Sequence, residues 1–426
     1  MNFRKRIPLV ALVDDFSPYS IELYQSIKDF KLKILFYGPK ERPISKLNIN
    51  LLLEDAKRVW TSWLYPFQIF RQAWRDGIDI LHLQLEFNTF GSPIALLLVP
   101  IMQLLLKFAK IRIVITLHTV FPRSSFKPPY EITYFLSFRK VATLTVLQLF
   151  LIIFYQLLHT LADKIIVHSP IFKRILKADY KAPESKIAVI EMGIDFSPIA
   201  DLSQEKLAKM KSKFHNRRII LFFGAVSPRK GLEYLIQAFS QIKNKYPEYA
   251  LAIAGNSPPY FKQYTDKLKT FAQKIGLQLE KDVFFLGSVR EEQLPYLLTI
   301  SEVIVFPYLA LYGMSSALGR VVKYKKPIIA TRIPAFTSIL ANGRTALLVP
   351  PRNVEALKNA LCKLMSSGPL RKFLSENLVK DLKRYSWGSV AQKTHKLYLD
   401  ILSLSLIHIS EPTRPRLISY AVFCLK

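Results

Sequence analysis

IILFFGAVSPRKGLEYLIQAFSQI, residues 219–242, holds a complete strand, turn and helix. Residues 219–224 are an apolar run closed by a glycine. Residues 226–231 form a polar turn with Arg229 and Lys230, and Leu232, Leu235, Ile236, Phe239 and Ile242 then recur at helical spacing. The rhythm continues in LAIAG (251–255), VFFLGSV (283–289), VIVFPY (303–308), PIIAT (327–331) and ALLVPP (346–351), all short and apolar. Such runs, separated by helical stretches, imply a parallel sheet covered on both faces. Ligands of these sheets sit beyond the carboxyl ends of the strands, where this chain places its polar turns.

At 426 residues the chain exceeds the size at which single cores stop growing, so two domains of about 200 residues are expected. Half of the residues are hydrophobic, which argues against disorder. The two cysteines, Cys362 and Cys424, give neither a disulfide framework nor zinc spacing, and fit a reducing compartment. MNFRKR at the start is basic, but Asp14 and Asp15 interrupt the following apolar run too early for a secretory signal, so 7–13 reads as a first strand.

Lys and Arg outnumber Asp and Glu 61 to 31, a formal charge of +30. Nucleic acid, anionic lipid headgroups and phosphorylated small molecules all suit that charge. The cations are scattered, Arg71, Arg75, Lys107 and Lys110 among them, with no nucleic-acid-binding signature, so nucleic acid is not an expected partner. A membrane surface is better supported by two apolar stretches flanked by Lys or Arg, 94–106 and 141–158. The second approaches the ~20 residues of a span, yet Thr143, Thr145, Gln148 and Gln156 interrupt it and a further strand follows at once. A span would leave neighbouring strands of one sheet on opposite sides of the bilayer. A long helix is expected instead, either partly facing lipid or wholly buried.

The amino-terminal half repeats the pattern in IPLVALV (7–13), KILFYG (33–38), DILHLQ (79–84), IRIVITLH (111–118), KIIVHS (164–169) and KIAVIEMG (186–193). His82, His118, His168 and Ser169 stand at strand exits, where histidines serve either as capped structural groups or as site residues. After residue 198 the chain turns polar and lysine-rich, which puts a domain boundary near 200: domains at 1–199 and 200–403, and a tail at 404–426.

Taken in order, DILHLQ, VITLHTVFP, ADKIIVHS, KIAVIEMGID, FFGAVSPRKGLEYLIQAF, VFFLGSV, KKPIIAT and NGRTALLVPPRN resemble the retaining GT-B glycosyltransferases of family 4, also called glycosyl transferases group 1, to about residue 403. The resemblance implies an α/β fold of two doubly wound Rossmann-like domains facing a central cleft. It further implies a retaining, metal-independent transferase of the hexosyltransferase type that moves a sugar from a nucleotide-sugar to a lipid-linked or polysaccharide acceptor. The nucleotide-sugar is a substrate, and no cofactor is implied. With the membrane signals above, the expected place is cytoplasmic and peripheral, at the anionic inner face of the cell membrane.

The chemistry requires fixed positive ends against the departing diphosphate. Lys230 matches the family's phosphate-binding lysine, Arg229 stands beside it, and Gly224 ends the strand; a solvated pair of cations opening a helix is the plain alternative. A second anion site is expected at YGMSSALGR, 312–320, where Gly313, Ser315, Ser316 and Ala317 leave backbone amides open at a helix start, unless Ser315 is an ordinary N-cap. Arg320 closes that segment. Family members often carry a glutamate at each of its ends; here Tyr312 and Arg320 stand there, and Ser338 matches a later acidic position. A noncatalytic sugar-nucleotide or glycan-binding relative is therefore the alternative. From the first domain the resemblance brings His118 to the donor sugar, with Arg123 and Lys127 on the acceptor side. Residues 406–426, LIHISEPTRPRLISYAVFCLK, resemble a translated sequencing adapter and are left out of functional reasoning.

Overall fold

The computed structural model describes residues 7–15, 17–28, 30, 32–40, 56–86, 94–126 and 141–410. Seven strands form the first sheet: β1 Leu9–Val13, β2 Lys33–Pro39, β3 Ala56–Trp60, β4 Ile80–Leu85, β5 Arg112–Leu117, β6 Lys164–Val167 and β7 Ile187–Val189. They lie in the order β3-β2-β1-β4-β5-β6-β7, every neighbouring pair parallel. The second sheet holds β8 Arg218–Phe223, β9 Tyr249–Ala254, β10 Val283–Gly287, β11 Ser301–Phe306, β12 Ile328–Thr331 and β13 Leu347–Val349. Its order is β10-β9-β8-β11-β12-β13, again all parallel. In each sheet the strand order reverses, between β1 and β4 and between β8 and β11, and crevices open at such points.

Every strand expected from the sequence is present. The edge strand β3, AKRVW, was not expected: with one neighbour and Lys57 and Arg58 in its middle it has no apolar run to show. The inner strands read as continuous apolar runs because both faces are covered, and Ile219, Ile220, Leu221 and Phe222 of β8 are fully buried.

The helix Val141–Leu161 contains the window Leu144–Leu161, long and apolar enough to cross a membrane. The strands it joins, β5 and β6, pair with each other in register Val114↔Lys164 to Leu117↔Val167, so both of its ends return to one sheet. Leu144, Leu151, Phe154 and Leu158 are buried against the core while Val146, Leu149, Ile153 and Leu157 are exposed. Of the two expectations, the wholly buried helix is therefore corrected.

The last helix, Trp387–Ser410, follows the second sheet but packs against the first. Val390, Ala391, Tyr398 and Ile401 join a core cluster with Val10, Leu12, Tyr24 and Phe36. Those side chains close the face of the first sheet opposite the helix Val141–Leu161, which gives this late segment its apolar spacing. Gly193 makes the passage: a Cβ there would lie 2.2 Å from the Trp387 ring.

Candidate functional site

The carboxyl ends of β4, β5 and β6 bring Gln84, His118 and His168 together beneath Tyr19, whose ring centroid lies 4.7 Å from that of His118 and 5.3 Å from that of His168. His168 Nδ1–H donates to Ile190 O at 2.9 Å. Its Nε2 is then an acceptor for His118 Nδ1–H, 3.0 Å away. His118 Nε2 meets the Gln84 side-chain amide at 2.9 Å, and the same amide reaches His82 Nε2 at 3.1 Å. His82 ends the run on Thr116 Oγ1 (2.7 Å) and, through Nδ1, on the Tyr398 hydroxyl (2.5 Å) of the last helix. The Gln84 oxygen faces His118 and its NH2 faces His82 in this structure; with all three rings neutral the polarity runs in one direction once that amide is turned over, NH2 to His118 and oxygen to His82.

Neutral rings are what this environment favours. Burial, with His168 as a second cause, holds His82 down at about 3. Burial alone dominates at His168, lowered to about 4, and it takes His118 well below the ordinary imidazole range, with His168 and His82 adding to the effect. Both nitrogens of His118 are thus engaged by protein, and a sugar hydroxyl approaching Nε2 must compete with Gln84. One strand over, buried Asp14 at the end of β1 accepts from Ser17 N at 2.7 Å. Burial, then the neighbouring Asp15, raises its carboxyl to about 7.

Across the cleft, β8 ends at Phe223, just before Gly224, and leads into the turn Pro228–Lys230. Gly231 closes that turn at φ +63°, and a Cβ on it would stand 2.2 Å from Pro307 O. Leu309 N donates to Arg229 O at 2.8 Å, which ties this turn to the segment after β11. Lys230 is buried, its Nζ 3.4 Å from the centroid of the Tyr308 ring. Burial and then Arg229 push its amine well below the usual lysine range, and no carboxylate among the described residues offsets them. Beside it Ser227 Oγ is buried with no hydrogen-bond partner. Tyr308, at the exit of β11, approaches Ser315, and burial pushes its hydroxyl up to about 12. A cation withdrawn from water and left without an anion marks a place for one.

Ser315 is an ordinary N-cap of the helix Ser316–Val321, the alternative given for this segment, its Oγ accepting from Leu318 N at 3.2 Å. Ser316 is exposed, and Ala317 is buried with its Cβ 3.9 Å from the point a Cβ on Gly224 would occupy. Gly313 is where the two halves touch. Thr119 and Gly313 form an isolated antiparallel bridge, Val120 N donates to Tyr312 O at 2.8 Å, and a Cβ on Gly313 would meet His118 O at 2.2 Å. Tyr312 turns into the first domain's core, its ring 5.3 Å from that of Phe121. Arg320 points to solvent, paired with Glu291, with its guanidinium 5.5 Å from the Phe223 ring centroid.

Arg123 is exposed at the start of a turn whose Ser125 and Phe126 are buried, its backbone N–H donating to Asp179 at 2.8 Å, and Lys127 falls outside the described residues. Gly224, Lys230, Ser315 and Ala317 gather about Tyr308, Arg229 is tied to that strand exit through its carbonyl, and Gly313 meets His118, while Ser316 and Arg320 are exposed. Tyr308, Ser227, Gln84 and Asp14 were not singled out in advance, although Tyr308 and Asp14 stand at strand exits and the rule that flagged the histidines covers them. Among the described residues no group of three His, Cys, Asp or Glu could hold a metal ion.

A family model described as Glycosyl transferases group 1 matches residues 203–381, and one described as Glycosyltransferase Family 4 matches residues 39–197. The D-inositol 3-phosphate glycosyltransferase of Corynebacterium urealyticum is 25% identical over 246 residues, 56% of this chain and 56% of that protein. An uncharacterized glycosyltransferase of Methanocaldococcus jannaschii, MJ1069, is 22% identical over 244 residues, 57% of this chain and 60% of that protein. The chain thus spans less than two thirds of the length of these curated relatives. Among solved structures, Anabaena Alr3699/HepE in complex with UDP superposes with a TM-score of 0.71 at 15% identity, covering 92% of this chain and 100% of that one. A glycosyltransferase from Rickettsia africae gives 0.72 at 20% identity, covering 93% and 99%. At these identities the structures establish the fold.

Proposed function

We propose that this chain, whose two halves match the models described as Glycosyltransferase Family 4 and Glycosyl transferases group 1 and whose fold matches GT-B structures, is a glycosyltransferase that moves a sugar from a nucleotide-sugar to a lipid-linked or polysaccharide acceptor at the anionic inner face of the cell membrane, with retention and without a metal. The single observation that carries the reading is Lys230: a buried cation with no carboxylate, beside an unpartnered Ser227 hydroxyl, on the turn tied to the strand exit that touches His118 through Gly313. A diphosphate placed there takes Lys230 and the amides at Ser315–Ala317 as its counter-charge, and its departure is where positive ends lower the barrier. The bond from the sugar's anomeric carbon to phosphate breaks and one to the acceptor oxygen forms on the same face. The acceptor's proton leaves on the departing phosphate. Neutral His118 and His168 add no positive charge beside the cation-like sugar, and the relay behind them fixes the His118 ring.

A noncatalytic relative is the second reading, favoured by Tyr312 and Arg320 where the family often has carboxylates: Tyr312 is spent on the first domain's core and Arg320 on Glu291. Purified protein with a panel of nucleotide-sugars and extracted membrane lipids, followed by mass spectrometry and by NMR of the new anomeric centre, separates the two. A glycosylated lipid or glycan of retained configuration is expected; nucleotide-sugar binding with neither transfer nor hydrolysis establishes the second reading instead.

A further inference from the structure

Twelve of the sixteen large apolar side chains exposed among the described residues lie on three helices of the first domain and their lead-in turns. Leu64, Phe67 and Trp74 point outward from Tyr65–Asp76 and the turn before it, with Arg71 and Arg75 among them. Leu97, Ile101, Leu104 and Phe108 do so from Val99–Phe108, and Val146, Leu149, Ile153 and Leu157 from Val141–Leu161. The spacing is three or four residues on the last two helices and three then seven, two turns, on the first, so each helix shows one stripe. The middle helix packs against both others, and the inner faces of all three fill one core cluster, so the stripes lie side by side on one outer face. Isolated exposed apolar residues are ordinary, but a continuous face of this kind is not.

From this face we infer a docking surface for an anionic lipid bilayer, entered to the depth of the headgroup and upper acyl region by the three stripes together. Trp74 is 67% exposed, Phe108 84% and Val146 69%, which leaves them free to insert. Trp63 and Trp74, two of the chain's four tryptophans, suit the water–lipid boundary. Charge decides between occupants. The three helices contain a single acidic residue, Asp76, and it is held by Lys57 and Tyr37, whereas Arg71, Arg75, Lys107 and Lys110 are exposed beside the apolar stripes. An apolar face with cations and no free carboxylate complements anionic headgroups. A second copy meeting through a two-fold axis would set the same cations against each other. The surface is also joined to the cleft, since Tyr155 on the inner side of Val141–Leu161 donates to Thr119 O at 3.1 Å, one residue past His118.

This surface rests on the membrane clause of the proposed function, and the test separates the two. The full chain is floated with phosphatidylcholine vesicles and with the same vesicles carrying phosphatidylglycerol. Wild-type protein should float with the anionic vesicles and be released by salt. The triple variant Trp74→Glu, Phe108→Glu and Val146→Glu should lose at least about tenfold in bound fraction while keeping its circular dichroism and its affinity for a nucleoside diphosphate. Arg71→Gln with Arg75→Gln and Lys107→Gln should remove the preference for anionic vesicles. If the wild type floats and the triple variant floats equally, the surface assignment is overturned and the membrane clause stands. If the wild type binds neither vesicle, both fall; a dimer that the triple variant abolishes would then assign the face to a second copy.

Discussion

The carboxyl edges of the two sheets share one topology and differ in what their polar side chains have found. In the first domain His168, His118, Gln84 and His82 are closed on one another, from Ile190 O to the Tyr398 hydroxyl. In the second, Lys230 is buried against a ring face with no carboxylate, and Ser227 Oγ has no hydrogen bond at all. A fully satisfied polar network fixes a shape, whereas an unsatisfied buried cation holds a place for an anion. The difference is the physical ground for giving donor phosphate to the second domain and positioning to the first.

The strongest way to break that comparison is to crowd the helix start beside Gly224. An indole at Ala317 would press on Gly224 and Tyr308, so Ala317→Trp should abolish nucleoside diphosphate binding by calorimetry. Because Ala317 is buried in the core, Ala317→Leu serves as a milder companion, and thermal melts must show both folded. Normal binding by a folded Ala317→Trp protein would move the donor site elsewhere.

Removing the cation itself should cost less. Lys230→Ala deletes a charge-assisted contact of about 1.5 to 3 kcal/mol, weakening nucleoside diphosphate binding at least about tenfold. The free protein should fold as before, since a group whose charged form burial disfavours is lost. The wild-type amine is depressed without an anion and restored with one, so wherever the free amine has lost its proton binding should take one up, and affinity should fall as pH rises. Equal proton exchange in wild type and Lys230→Ala would remove Lys230 from the site.

The first domain is tested by acid. His82, His118 and His168 all have native values below the unfolded 6.5, so between about pH 6.5 and 4 the unfolded chain binds protons that the native state refuses. Stability should fall as pH drops through that window, by about 3 kcal/mol for His168 alone. Asp14, raised, works in the opposite sense between about 7 and 4, and three histidines outweigh it. His168→Gln should flatten the acid slope and, by leaving the His118 ring less firmly held, lower kcat several-fold with little change in KM. A His168→Gln protein with wild-type acid sensitivity would show that the chain of rings is not closed as described.

Much of the fold is legible in the sequence. Continuous apolar strands ended by Gly or a polar residue disclose a parallel sheet, and the family resemblance singles out Lys230 and His118, whose buried surroundings only the structure supplies. What stayed hidden has a common cause: it depends on which residues meet, not on which residues occur. Nothing in the local sequence of Tyr398 announces that it bonds His82, more than three hundred residues away. β3 was invisible because an edge strand needs no apolar run, and Tyr312 reads as a lost carboxylate until its ring is seen against Phe121. The outward stripes on three helices were half-visible. The stretch 141–158 drew attention by its length, while Phe67, Trp74 and Phe108 look like core residues until the inner faces are known to be filled by others.

The smallest expected effect sharpens the comparison most finely, because it asks what kind of group grips the phosphate. Ser315 spends its hydroxyl on Leu318 N, and Ser316 is exposed at the first helical position, so neither side chain is needed if backbone amides do the holding. Ser316→Ala should change nucleoside diphosphate affinity by less than about threefold, roughly 0.65 kcal/mol. Ser315→Ala removes a cap and should cost about 1 kcal/mol of stability while leaving most of the binding. The two losses are thus of different kinds, one seen in a melt and the other in neither measurement. A tenfold drop in affinity from Ser316→Ala with an unchanged melt would mean that a hydroxyl holds the phosphate. The second domain would then hold its donor at least in part through a side chain, as side chains carry most of the first domain's network.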